Sequence, residues 1–325
     1  MASLKVAILG ATGETGTSIV NGLIDSATSF EITVLTRPSS LTKSKTLALQ
    51  SRGVTITPYD TSSPTDQQAK VLHGIDVIIA TVDPQGLEDQ KPLATAAKAA
   101  GVKRFVPSSF ATVAPPKGVI DMREKKEDIV LHIKKLSLRY TVIDIDWWMN
   151  GFLPVLPSRK TEYIRLDMPP GTNTLPGDGD VPTAVTDADD VGRFAARVIA
   201  DERTLNKMVF IYGEVVMPNQ AYDLMEKLSG ETIERTYISE GEMLAQITYA
   251  KEAIAQGSVD MLTMFKVHVL QYNHSFGIRG DNTPENAAYL GYLDGRDLYP
   301  DLKGTSMEEF LVKVLSGKAK KPYSV

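Results

Sequence analysis

The stretch Leu4–Gly16 reads LKVAILGATGETG and decides the fold of the N-terminal half of the chain. Its first six residues are apolar apart from Lys5, which predicts a buried strand, and three glycines follow at positions 10, 13 and 16. A glycine turn that ends a strand and opens a helix is typical of a dinucleotide-binding loop. Gly10 permits the tight turn, Gly13 lets the backbone approach a pyrophosphate, and Gly16 allows the helix to pack closely on the strand. The alternative is a glycine-rich turn that binds nothing.

Outward from this loop, short apolar runs alternate with helical patterns as far as residue 145. Strands that alternate with helices build parallel sheets covered on both faces. We therefore predict an α/β fold, a Rossmann doubly wound parallel sheet. The predicted later strands are Glu31–Leu35, Val54–Thr57, Asp76–Ala80, Arg104–Pro107 and Tyr140–Ile145, and the predicted helices are Glu14–Asp25, Leu41–Ser51, Gln67–Leu72, Leu87–Ala100 and Glu124–Leu136.

The pattern changes after residue 150, where prolines and glycines interrupt the chain as far as Pro182. Such punctuation predicts loops, with at most short strands such as Glu162–Leu166. Mostly helical patterns follow from residue 219. We predict an NADP-binding Rossmann domain over residues 1–150, to which residues 187–212 return, and a smaller, mainly helical substrate lobe over residues 151–186 and 213–325. The substrate cleft should lie under that lobe, at the carboxyl ends of the parallel strands.

Composition excludes several classes of protein and site. The 325-residue chain has a formal net charge of −5, which gives no overall basic field for nucleic acid. It contains no cysteine, so disulfides, thiolate catalysis and cysteine metal sites are excluded. The four histidines show no metal-ligand spacing, and we expect no metal. No apolar run approaches membrane-spanning length and no signal peptide is evident, so we expect a cytoplasmic protein that does not bind membranes.

The end of the second predicted strand indicates which dinucleotide binds. NAD-binding proteins usually place an acidic residue there for the ribose hydroxyls, whereas this chain has Thr36-Arg37-Pro38-Ser39-Ser40. A guanidinium suits a 2′-phosphate because it stays charged and donates paired hydrogen bonds. We therefore predict NADPH; the alternative is a surface arginine with no ligand.

Several motifs together resemble a known family. They are GATGETG, LTRPSS, AGVKRFVPSSF at Ala100–Phe110, YTVIDIDWWMNGFLP at Tyr140–Pro154, and IRGDNTPENAAYLGYLDGRDLYPDL near the C-terminus. The chain resembles the fungal isoflavone-reductase-like proteins of the NmrA-like group, which are atypical short-chain dehydrogenases/reductases related to phenylcoumaran benzylic ether reductases. The resemblance covers nearly the whole chain and implies NADPH-dependent reduction of a small molecule.

The resemblance also implies a catalytic lysine early in the helix before the sixth strand. The segment MREKKEDI aligns with that position, and counting back from the next strand selects Lys126, with Lys125 as the alternative. A desolvated lysine can titrate nearer neutrality and so move a proton to or from a substrate oxygen. The competing interpretation is that REKKED is simply a solvated, charged helix face.

The predicted site has two parts. The cofactor-binding residues are expected to be Gly10, Thr12, Gly13, Glu14, Thr15, Gly16, Arg37, Ser39, Lys45, Thr81, Ser108, Phe110 and Lys126. The substrate pocket is expected to include Ser109, Trp147, Trp148, His268 and Tyr272.

Two departures from the plant members stand out. PSSFA at Pro107–Ala111 replaces PSEFG, and Asp146-Trp147-Trp148 replaces NFF, so the plant substrates should not be carried over. We predict an NADPH-dependent reductase of a small aromatic or polyketide-like molecule that works as a monomer or homodimer. The alternatives are a non-catalytic dinucleotide sensor that regulates a protein partner, and a cofactor-using isomerase.

Overall fold

A computed structural model describes residues 3–165, 173–257 and 261–322. Its N-terminal part is a five-stranded parallel sheet in the order β3-β2-β1-β4-β5. The strands are β1 Leu4–Leu9, β2 Phe30–Thr36, β3 Thr55–Pro58, β4 Val77–Ala80 and β5 Arg104–Val106. The order reverses at β1, which carries the glycine loop, so the two halves of the sheet diverge at that loop. This is the crevice in which doubly wound folds bind their ligands.

Helices cover both faces of this sheet and bury its apolar side chains. They are α1 Glu14–Ile24, α2 Ser44–Ser51, α3 Thr65–Val71, α4 Gln90–Ala100, α5 Asp121–Lys135 and α6 Val191–Ala200. Val6 and Ile8 of β1 face one buried cluster, while Ala7 and Leu9 face another. Because successive side chains of a strand point to opposite faces, the apolar run of β1 is buried on both sides.

The sheet continues through strands from the second half of the chain. A parallel bridge between Phe105 and Tyr140 links β5 to the start of β6 (Thr141–Asp144). Strand β10 (Lys207–Phe210) pairs with β6, and β13 (Tyr292–Asp294) pairs with β10. We predicted that residues 187–212 return to the Rossmann domain. We did not predict that β13 pairs there, because it comes from a range that we assigned to the lobe.

The lobe combines helices with two small sheets. The strands are β7 Trp147–Trp148, β8 Thr174–Pro176, β9 Thr183–Thr186, β11 Glu214–Val216 and β12 Thr236–Ile238, and the helices are α7 Pro218–Ser229, α8 Glu240–Ala255, α9 Met261–Gly277, α10 Pro284–Tyr289, α11 Gly295–Leu298 and α12 Met307–Leu315. Strand β7 pairs with β9, which also pairs with β11, and β8 pairs with β12. No helix in the described ranges combines the length and apolarity that a membrane crossing needs.

Most predicted elements are present with shifted ends. Helix α5 begins at Asp121 rather than at Glu124, and α4 begins at Gln90 because a 3₁₀ helix, Pro84–Asp89, precedes it. The strand predicted at Glu162–Leu166 is wrong over its described part. The amide of Ile164 donates to the carbonyl of Thr161, which closes a turn there, and Leu166 lies outside the described residues.

Candidate functional site

The glycine loop between β1 and α1 contains three glycines. At two of them the surrounding backbone leaves no room for a side chain, and at the third it does. A Cβ at Gly10 would lie 2.3 Å from the Thr81 carbonyl oxygen, and one at Gly16 would lie 2.3 Å from the Gly10 carbonyl oxygen. Gly10 also has φ +86°, which favours glycine. A Cβ at Gly13 would meet only the Gly10 oxygen at 3.4 Å, an ordinary contact. The open space at Gly13 is therefore a cradle that a side chain would fill, and it fits a pyrophosphate.

The N-terminus of α1 is prepared for an anion. Gly13 is the residue that precedes the helix, and no side chain caps it. The first intrahelical bond is donated by the Thr17 amide to the Gly13 carbonyl. The first amides of a helix have no partner within it and carry the positive end of its dipole. The loop and first-turn residues Thr12, Glu14 and Thr15 lie at this end, as expected for a phosphate site.

Arg37 follows β2 directly and is exposed. Within the described ranges no carboxylate forms an ion pair with its guanidinium. Ser39 belongs to the 3₁₀ helix Pro38–Ser40, and Lys45 is exposed on α2. These groups lie beside the carboxyl end of β2, where the adenosine ribose binds in this fold. Arg37 is therefore available to a 2′-phosphate.

The segment after β5 lies across the crevice from the glycine loop. The Ser108 amide donates to the Gln90 side-chain oxygen at 2.7 Å, and the Ser108 hydroxyl donates to the Val82 carbonyl at 3.0 Å. Phe110 has φ +37°, a conformation that bulky residues rarely adopt. Its amide donates to the Ile143 carbonyl at 2.9 Å, which fixes the segment to β6. Ser108–Phe110 is thus held rigidly at the carboxyl edge of the sheet.

Lys126 projects from α5 toward this segment. Its half-buried side chain donates a hydrogen bond from Nζ to the Ser109 carbonyl. Burial lowers the pKa of Lys126 to about 8; Asp144 opposes this effect and Arg123 reinforces it. The neighbouring Lys125 is exposed. The geometry therefore favours Lys126 over Lys125 as the lysine that faces the site.

A buried charged network lies beside Lys126, and sequence reasoning missed it. Arg123 donates to Asp144 Oδ2 at 2.6 Å and to Glu127 Oε1 at 2.7 Å, and the Tyr292 hydroxyl donates to Asp144 Oδ2 at 2.6 Å. Burial alone would lower the pKa of Arg123, but Asp144, Tyr292 and Glu127 together outweigh it and raise that pKa well above its ordinary value. An aspartate at the end of the apolar run YTVID was the available signal, because a charge in such a run needs a buried partner.

Aromatic side chains from two elements form one wall near Lys126. The ring of Trp147 on β7 lies 5.2 Å from that of Tyr272 and 5.3 Å from that of Phe276, both on α9. His268, one turn earlier on α9, contacts Tyr272 edge-on at 4.6 Å. Trp148 instead packs with the buried cluster of the Rossmann sheet, because adjacent strand residues point to opposite faces. Trp147 therefore shares the wall formed by α9.

His268 completes the group of side chains around Lys126. Burial, reinforced by the nearby charge of Lys126, lowers the pKa of His268 to about 4. The imidazole is therefore neutral near pH 7. A neutral imidazole can donate one hydrogen bond and accept another, so His268 can orient an uncharged polar group of a substrate.

Asp146 is a second buried acid that the sequence analysis did not single out as a site residue. It has φ +63°, and its Oδ2 accepts a hydrogen bond from the Thr186 hydroxyl at 2.8 Å. Among the described residues its Oδ1 is buried without a hydrogen-bond partner, and burial raises the pKa of Asp146 well above its usual range. Burial therefore favours the neutral form of this carboxyl group.

Together these residues suit a two-electron reduction that is coupled to proton transfer. The glycine loop and Arg37 fit the two phosphate-bearing parts of NADPH, and Lys126 can give or take a proton near neutral pH. The aromatic wall favours an uncharged ring system over a charged substrate.

Comparison with known proteins identifies the family of this chain. The model of the NmrA-like family matches residues 2–311. An asnovolin J 5′,6′-dehydrogenase from Aspergillus novofumigatus is 42% identical to this chain, covering 97% of it and 96% of the relative. An isoflavone reductase-like protein from Olea europaea is 30% identical, covering 94% of this chain and 97% of the relative.

Solved structures agree in fold. A crystal structure of isoflavone reductase superposes with a TM-score of 0.78 at 26% identity, covering 95% of this chain and 99% of that one. A binary complex of leucoanthocyanidin reductase with NADPH from Vitis vinifera superposes with a TM-score of 0.78 at 24% identity, covering 96% and 99%. The predicted doubly wound α/β fold is confirmed.

Proposed function

This chain belongs to the NmrA-like family, as its motifs predicted, and we propose that it reduces a small aromatic or polyketide-like secondary metabolite with Lys126 as the general acid or base. It is an NADPH-dependent oxidoreductase. Its dehydrogenase and reductase relatives, together with the cradle at Gly13, support that assignment. NADPH supplies the hydride when it is bound. The single observation that carries the proposal is Lys126, a half-buried lysine that lies between the Ser109 carbonyl and the aromatic wall.

Lys126 performs the proton half of the reaction. In the reducing direction a carbon of the substrate gains the hydride, and the Lys126 ammonium gives a proton to the substrate oxygen. Neutral Lys126 then regains a proton from water. In the dehydrogenating direction Lys126 removes that proton instead. The lowered pKa of Lys126 suits both directions, because each protonation state is populated near pH 8.

The site also limits the class of substrate. Trp147, Tyr272 and neutral His268 offer ring faces and neutral polar groups. Lys126 is the acid–base group among them. We therefore expect an uncharged ring bearing a carbonyl or a conjugated double bond, or a benzylic C–O bond. Absence of nucleic acid, a cytoplasmic location and a monomeric or homodimeric state stay predictions from the sequence.

The experiment compares Lys126→Ala with Lys125→Ala. A panel of aromatic ketones, enones and benzylic ethers is screened for NADPH oxidation, and the saturated products are screened with NADP⁺. Lys126→Ala should lower kcat by about 10²- to 10⁴-fold, far more than it weakens NADPH binding. Lys126→Arg should not restore activity, because a guanidinium hardly releases a proton near neutrality.

The Lys125→Ala variant is the matched control, since its exposed side chain lies on the adjacent helix position. It should retain nearly full activity. If Lys126→Ala keeps more than about half of the activity, Lys126 is not the acid–base group, because such groups contribute about 10²-fold or more. If Lys125→Ala is the inactive variant, the assignment is off by one residue.

A further inference from the structure

We propose that Arg123, Asp144 and Tyr292 are positioning residues, which hold Lys126 at the Ser109 carbonyl and set the balance between its charged and neutral forms. The inference rests on the proposed catalytic role of Lys126. Nothing in the glycine loop or the aromatic wall requires a buried ion pair here. Arg123 has 2% of its side chain exposed and Asp144 has none, so neither charge is kept for contact with water. Burying such an ion pair costs desolvation free energy, so we expect its geometry to serve a purpose.

Hydrogen bonds connect helix α5, which carries Lys126, to the segment that contains the Ser109 carbonyl. Arg123 lies one helical turn before Lys126 on α5, and its guanidinium bonds Asp144 at the end of β6. The other oxygen of Asp144 accepts a hydrogen bond from the Ala111 amide at 3.4 Å. Ala111 is two residues after Ser109, whose carbonyl receives the Lys126 ammonium. Asp144 therefore ties the helix that carries Lys126 to the segment that Lys126 contacts.

Tyr292 adds a third anchor from a distant part of the chain. Its hydroxyl donates to Asp144 Oδ2 at 2.6 Å and accepts from Arg123 Nη2 at 2.5 Å. Tyr292 is the first residue of β13, which pairs with β10 and so belongs to the same sheet as β6. The hydroxyl thus bridges the guanidinium and the carboxylate.

Charges around Lys126 act in opposite directions. The Asp144 carboxylate on β6 favours the ammonium, and the Arg123 guanidinium on the same helix disfavours it. From α9 the facing group is His268, which is neutral near pH 7. Glu127 is held by Arg123 through two of the guanidinium nitrogens. Removing Asp144 should therefore lower the pKa of Lys126, and removing Arg123 should raise it. A purely structural role would not shift the pKa in opposite directions.

The test measures how fast Lys126 is acetylated as a function of pH. Trace amounts of deuterated acetic anhydride label neutral amines, and tandem mass spectrometry of the peptide separates Lys126 from Lys125, the exposed internal control. The pH of half-maximal labelling reports the pKa of the amine and does not depend on its accessibility. No substrate is needed, so the result is separate from the activity of Lys126→Ala.

Asp144→Asn should lower the labelling midpoint of Lys126, so that at pH 7 the fraction labelled rises roughly three- to tenfold, as expected when one nearby opposite charge is lost. Arg123→Met should raise the midpoint. If the network merely supported the fold, both variants would loosen the site and raise the midpoint toward that of an ordinary lysine. A raised or unchanged midpoint in Asp144→Asn overturns the proposal.

The double variant Arg123→Met/Asp144→Asn covers the case in which Asp144→Asn does not fold. It removes both members of the pair and leaves no buried charge without a partner. Asp144 acts on Lys126 more strongly than Arg123 does, so the midpoint should still fall, but by less than in Asp144→Asn. A midpoint above that of the unmodified protein refutes the positioning role. Unaltered NADPH binding and circular dichroism verify that the variants retain the fold. If the midpoints move as expected but Lys126→Ala stays active, the proposed function fails and the network does not.

Discussion

The glycine loop allows a substitution that separates ligand binding from folding. At Gly13, φ is −77° and ψ is 174°, which any residue can adopt, and a Cβ would meet nothing closer than 3.4 Å. Gly13→Ala should therefore fold normally, and removal of the glycine's excess freedom in the unfolded chain should stabilise the protein by about 0.4–1 kcal/mol. The new methyl group would occupy the cradle that fits the pyrophosphate. Loss of one charge-assisted hydrogen bond costs about 1.5–3 kcal/mol, which weakens binding roughly ten- to a hundredfold.

Gly16→Ala is the contrasting variant. Its Cβ would lie 2.3 Å from the Gly10 carbonyl oxygen and 2.7 Å from the Ala11 Cα, and backbone atoms cannot move aside cheaply. Overpacking of this kind costs about 1–3 kcal/mol, so stability and NADPH affinity should fall together. Thermal unfolding and calorimetric titration with NADPH give both quantities for both variants. Undiminished NADPH affinity in Gly13→Ala, or a loss of stability as large as that of Gly16→Ala, would refute the reasoning about the cradle.

Two further predictions concern the cofactor and pH. Arg37→Ala should weaken NADPH roughly ten- to a hundredfold and leave NADH nearly unchanged, since only NADPH carries the 2′-phosphate; equal affinities of the two cofactors for the unmodified protein in calorimetry would contradict it. In the reducing direction kcat should fall as the pH rises through about 8, because burial lowers the pKa of Lys126 to that value and only the ammonium donates a proton. His268, with a pKa lowered by burial to about 4, should add no step near neutrality, and a step close to pH 6.5 would count against this assignment.

The cofactor half of the site was predictable because its signals are local. The strand, the glycines and the start of α1 are consecutive in sequence, and Arg37 follows the next strand directly. Periodicity also predicted the alternation of strands and helices that the structure contains. Helix ends were less accurate, because short 3₁₀ segments and capping residues such as Asp83 decide where a helix begins.

The substrate half was only partly predictable. Lys126 came from a family resemblance, and the charge run around it also fitted a solvated helix face. Trp147 and Tyr272 were expected in one pocket and lie in contact, but Trp148 faces the Rossmann core because it alternates with Trp147 along β7. The alternation was visible in the sequence; which of the two residues faced the lobe was not.

By itself, the sequence determined the doubly wound fold, the family and the glycine loop, since each depends on residues that are close along the chain. Only the tertiary structure decided the surroundings of Lys126. Tyr292 lies 148 residues from Asp144, and Arg123 lies 21 residues from it, yet their side chains share one buried network. No pattern along the chain predicts that these side chains contact one another. The contact arises because β13 pairs with β10, β10 pairs with β6, and Arg123 on α5 bonds Asp144 at the end of β6. Desolvation there lowers the pKa of a lysine that would otherwise be an ordinary surface cation.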